Sequence, residues 1–133
     1  MSGDLENLKE KTRKTADLYF GGIADEGVYP LWRSFDKNLA KEFSMFFTGK
    51  LYAREKIPHR IRQLVTVAAL TVLERSDELR LHIWAGLNVG CTPEEIAEVI
   101  FQMVTYGGMP VVNRALNVLR DVLEEREQAP KKE

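Results

Sequence analysis

The chain has 133 residues, enough to bury one core and about one domain's worth when domains run roughly 100–200 residues. Hydrophobic residues make up 44% and charged residues 29%, with 9 Gly and 5 Pro, which excludes a disordered or fibrous chain. Nineteen Lys plus Arg against twenty Asp plus Glu leave a net charge of −1, so composition gives no reason to expect a nucleic-acid partner or an anionic membrane surface.

The opening residues Met1-Ser2-Gly3-Asp4-Leu5-Glu6 lack the basic and apolar regions of a secretory signal. The longest strongly apolar run, Leu64 to Leu73, spans ten residues, half of the roughly 20 that a membrane span needs. Cys91 is the only cysteine, so neither an intrachain disulfide nor a dithiol pair can form. These features point to a cytoplasmic protein with no membrane partner.

Leu5, Leu8, Thr12, Ala16 and Tyr19 recur at spacings of three and four, which predicts a first helix from about Asp4 to Phe20, stopped by Gly21-Gly22. A loop follows through Gly27 and Pro30. Asp36 is placed to cap a second helix with Leu39, Phe43, Phe46 and Phe47 on one face, and Gly49 ends it. Pro58 suits the first turn of a third helix, running to about Glu74. There Leu64, Val65, Val67, Ala68, Leu70, Val72 and Leu73 surround most of the circumference. That is more apolar surface than one small domain covers, which predicts subunit contacts. Ser76-Asp77 opens a fourth helix, and Asn88-Val89-Gly90 closes it with a left-handed turn. Thr92 caps the next helix, Pro93 fits its first position, and Glu95 completes a capping box. Ile96, Val99, Ile100, Met103 and Val104 follow along one face. Gly107-Gly108 breaks that helix, and Pro110 starts the last, to about Glu125, with Val111, Ala115, Val118 and Val122 inward. No stretch alternates with period two for long enough to make a strand. The expected fold class is all-α, a small helical bundle of about five to seven helices. It forms a single domain over residues 1–127, with a flexible tail at 128–133.

Two constellations carry candidate chemistry. Glu78 and His82 stand four apart on the fourth helix, where side chains are neighbours. A carboxylate beside an imidazole holds the ring in one tautomer and raises its pKa, an arrangement suited to proton transfer. Spacing alone favours the plainer reading, a helix pair worth ~0.2–0.5 kcal/mol. Arg54, Lys56, His59, Arg60 and Arg62 crowd the start of the third helix, either as a solvated face or as a grip for a dicarboxylate or phosphate. Tyr106, beside the Gly107-Gly108 break, either offers a hydroxyl to a cleft or sits as a boundary aromatic. Cys91 reads most simply as a small buried residue; a redox role would require an exposed, low-pKa thiolate. With only His59 and His82 and no Cys/His ligand set, no metal site is expected.

From Gly49-Lys50-Leu51-Tyr52-Ala53-Arg54 onward the order of features resembles the carboxymuconolactone decarboxylase family. The resemblance continues through Ile61-Arg62-Gln63-Leu64-Val65-Thr66-Val67-Ala68-Ala69-Leu70 and Asp77-Glu78-Leu79-Arg80-Leu81-His82. Leu87-Asn88-Val89-Gly90-Cys91-Thr92-Pro93-Glu94-Glu95-Ile96 and Tyr106-Gly107-Gly108-Met109-Pro110 complete it, so it covers most of residues 49–117.

The resemblance implies an all-α subunit assembled into homo-oligomers, trimers or hexamers. One branch of the family resembles alkylhydroperoxidases and needs a C-x-x-C pair before the helix histidine. Here those positions are Arg75 and Glu78, so dithiol peroxidase work is disfavoured. The other branch decarboxylates 4-carboxymuconolactone in aromatic catabolism and carries the pattern found at Glu78 to His82. Such a lyase needs no cofactor, because the unsaturated lactone itself accepts the electrons as a dienolate. The resemblance and the side-chain chemistry together cast His82 as acid/base and Glu78 as its orienting partner. Arg62 becomes a contact for a small carboxylate substrate, and Tyr106 a donor. The alternative is a non-catalytic oligomeric small-molecule-binding protein on the same scaffold. Lys50, Trp84 and Val89 depart from the decarboxylase pattern, and Trp84 in place of Arg suggests a less charged substrate.

Overall fold

The structure is a computed structural model that describes residues 2–23 and 27–128. Of the tail expected at 128–133, all but Gln128 lies outside the described residues. Every regular element among the described residues is helical: α1 (Ser2–Phe20), α2 (Tyr29–Phe35), α3 (Lys37–Ser44), a π-helical segment (Met45–Leu51), α4 (His59–Val72), α5 (Ser76–Asn88), α6 (Pro93–Gln102), α7 (Val104–Gly107) and α8 (Met109–Gln128). Taking the continuous Lys37–Leu51 stretch as one and setting aside the single turn of α7 leaves seven helices. Packing divides the chain at Pro58 into two compact units, Met1–Pro58 and His59–Glu133.

In the first unit α1 lies along the π segment, and α2 lies against α3. The helix α2 occupies ground expected to be loop. Pro30 sits in its first turn, where a fixed φ favours helix and the missing N–H costs nothing. Asp36 caps α3 as expected, its carboxylate accepting from Leu39 N–H at 2.9 Å. Trp32, Phe43 and Phe47 then form an aromatic cluster, with Trp32 and Phe43 edge-on at 5.5 Å. Gly49 does not end the helix. The backbone continues to Tyr52, whose N–H reaches the Phe47 carbonyl five residues back, and Gly49 is buried where α1 passes closest. Tyr19, also buried, donates its hydroxyl to the Tyr52 carbonyl at 3.1 Å.

In the second unit α8 runs against α4, α5, α6 and α7, and α4 packs along α5. The core is aliphatic: Val67 from α4, Leu79 and Ile83 from α5, Ile96 and Ile100 from α6, and Val112, Leu119 and Val122 from α8. The capping box forms at α6, with the Thr92 hydroxyl accepting from Glu95 N–H and the Glu95 carboxylate from Thr92 N–H, both at 3.0 Å. Gly90 takes the left-handed turn after α5, at φ +102°, where a Cβ would be strained. The buried line of α4 is Gln63, Val67 and Thr71, four residues apart, while Val65 is 60% exposed and Leu73, just past the helix, 57%.

Candidate active site

His82 and Gln63 meet at the seam between α5 and α4. Helical spacing places Leu79, Ile83 and Gly86 in the core, and this turns the His82 face of α5 toward α4. The imidazole is half-buried, and its Nδ1 stands 2.9 Å from Oε1 of Gln63. Gln63 is fully buried, and its Nε2 has no hydrogen-bond partner among the described residues. Burial pushes His82 down from its ordinary 6.5 to about 4, because the charged ring loses its hydration. The site at neutral pH therefore holds a neutral imidazole.

This corrects the expected Glu78–His82 pair. Glu78 is exposed in the first turn of α5, and the carboxamide of Gln63, not the Glu78 carboxylate, takes the ring nitrogen. A neutral amide favours the imidazolium far less than a carboxylate does, so desolvation prevails and the shift runs opposite to expectation. Spacing on one helix does not reach Gln63, although the sequence carries a signal for it. It is a polar residue on the same helical line as Val67 and Thr71, and its amide has to find a partner once buried.

The remaining candidates lie farther out. Arg62, half-buried, directly precedes Gln63 on α4. Tyr106 lies on α7, which packs on α6 and α8, and is 70% exposed. Within one chain, no hydrogen bond among the described residues ties Tyr106 or Glu78 to His82. In the basic cluster, Arg60 is committed to an ion pair with Glu95, which ties the start of α4 to the start of α6. Trp84 is buried, 4% exposed, with the Arg126 guanidinium 4.7 Å above its ring.

Cys91 follows the Gly90 turn, and its thiol donates to the Arg60 carbonyl at 3.4 Å. Burial and the Glu95 carboxylate push it up to about 11, against the redox reading. Among the described residues no three His, Cys, Asp or Glu side chains gather to hold a metal ion. Among the described residues no helix is long and apolar enough to cross a membrane.

The model of the carboxymuconolactone decarboxylase family matches residues 38–121. The chain belongs to the carboxymuconolactone decarboxylase family. A 4-carboxymuconolactone decarboxylase of Acinetobacter baylyi is 36% identical over 98 residues, covering 74% of this chain and 73% of the relative. An uncharacterized 15.0 kDa protein from the nqo9-nqo10 intergenic region of Paracoccus denitrificans is 37% identical over 91 residues, covering 67% of each. The family match takes in Gln63, Glu78, His82 and Tyr106, so the whole candidate site falls within it.

Proposed function

We propose that the protein is a cofactor-independent carboxy-lyase of the 4-carboxymuconolactone decarboxylase type, acting on a small carboxylated lactone or a related acid. The observation that carries this reading is the neutral, half-buried His82 held by Gln63, in a chain 36% identical to a decarboxylase over most of its length. In the proposed reaction the bond from ring carbon to carboxylate breaks and carbon dioxide leaves. The electron pair passes into the unsaturated lactone as a dienolate, and a proton adds to carbon. An anionic substrate beside His82 favours the charged ring, so the proton enters with the substrate and passes from the ring to carbon. Partial desolvation at the seam strengthens each of these interactions.

Arg62 is assigned to a substrate carboxylate. Glu78 and Tyr106 are assigned to the edge of the site where a second copy of the chain approaches. The exposed apolar line of Val65 and Ala69 on α4, continued by Leu73 just past its end, supports a homo-oligomer, a trimer or a hexamer, since surfaces of this kind mark subunit contacts.

The test is purified protein incubated with 4-carboxymuconolactone, with carbon dioxide release measured directly. Turnover that falls roughly 10²–10⁴-fold in His82→Ala, the usual contribution of a positioned acid or base, supports the reading, provided the oligomer stays intact. An inactive wild-type protein that still binds the lactone overturns it in favour of a binding role. Sedimentation at 15.2 kDa overturns the oligomer.

A further inference from the structure

The Gln63–His82 contact can be made in two ways. A half-turn about the last side-chain bond of glutamine exchanges Oε1 and Nε2, which are nearly equal in size. With Oε1 on the ring, the ring must carry its proton on Nδ1, and the enclosed Nε2 of Gln63 is left without an acceptor among the described residues. A buried N–H without a partner loses its hydration and gains nothing in return. An under-used carbonyl oxygen is more readily tolerated. The half-turned arrangement satisfies the donor: Gln63 Nε2–H donates to Nδ1, and the ring proton moves to Nε2.

We propose that Gln63 is a positioning residue that sets the His82 tautomer, holding the resting ring with its proton on Nε2. His82 then meets a ligand as a neutral N–H donor, aimed at an oxygen on which negative charge collects, rather than as a resting base. When the ring takes a second proton on Nδ1, the reverse half-turn presents Oε1 to it. An amide can serve both states because it carries a donor and an acceptor. A carboxylate at the same place can only accept, and a leucine can do neither. Glutamine is thus the side chain that keeps the ring neutral and directional without fixing a charge beside it.

The role in turnover rests on the decarboxylase reading, but the tautomer does not, and the experiment separates the two. Protein labelled with ¹⁵N-histidine is studied near pH 7.5, with a His59→Gln variant to tell the two rings apart. A pyridine-type Nδ1 and a pyrrole-type Nε2 are expected for His82, and the pattern should reverse in Gln63→Glu. The Gln63→Glu ring should also titrate above the wild-type value of about 4, since a carboxylate favours the imidazolium. A pyrrole-type Nδ1 in the wild-type protein overturns the proposal with no variant needed. So does an unchanged tautomer in folded Gln63→Glu and Gln63→Leu. In the kinetic arm, Gln63→Glu is expected to lower kcat at least 10-fold with KM changed less than 3-fold. If wild-type protein shows no turnover, the decarboxylase reading fails while the spectra still decide the tautomer.

Discussion

Gly49 and Thr12 approach so closely that a Cβ on the glycine would fall 2.1 Å from the threonine Oγ1 and 3.2 Å from its Cβ. The threonine hydroxyl is already turned back onto the Leu8 carbonyl at 2.7 Å, so it has little room to yield. Gly49→Ala should therefore destabilise the protein by ~1–3 kcal/mol, the usual cost of overpacking. Urea unfolding measures this. Adding Thr12→Ala should recover part of the loss, because the clashing oxygen is gone. An unshifted midpoint in Gly49→Ala contradicts the close approach.

Much of the helical frame was legible because its signals are local. Asp36 and the Thr92–Glu95 box lie within three residues of the N–H groups they satisfy, and Gly90 marks its own turn. Gly49 misled because a glycine reads alike as a helix stop or as room for another helix, and Thr12 is far away in sequence. The same limit governed the site. Four-residue spacing proposed Glu78 for His82, yet the packing of α4 along α5 delivered Gln63, nineteen residues distant. Family resemblance pointed to His82, while burial turns its pKa opposite to the direction expected from a carboxylate neighbour.

Glu74 closes α4 in the left-handed region, at φ +57°, with Arg75 N–H reaching the Leu70 carbonyl at 3.0 Å. A side chain at such a cap is less favourable than glycine. Glu74→Gly should raise stability by ~0.5–1 kcal/mol, read as a higher thermal midpoint. The ion pair it removes, Glu74 with Arg114 at 3.6 Å, is exposed, and such pairs contribute little. A lower midpoint would show that the cap is not strained.

His82 makes stability depend on pH. Its ring takes a proton near 6.5 when unfolded and only near about 4 when folded. Between those values the unfolded chain binds more protons, so stability is full above pH 6.5 and falls as the pH drops toward 4. The loss should total about 3 kcal/mol, seen as a falling urea midpoint. His82→Asn should flatten the curve in this window; an equal slope in that variant would assign the dependence to other groups.

Cys91, buried and pushed up to about 11, should resist alkylation in native protein at pH 8 and react fully in urea. Rapid labelling of the folded chain at pH 8 would contradict its burial.

The division at Pro58 also parts the two tryptophans. Trp32 sits against Phe43 in the first unit, and Trp84 lies beneath Arg126 in the second. Each half thus carries its own intrinsic fluorophore, in surroundings unlike the other's. A Trp32→Phe chain emits from the half that holds His82, and a Trp84→Phe chain from the half that does not. The cooperativity of the molecule can be followed by light alone, one half at a time, with no dye attached.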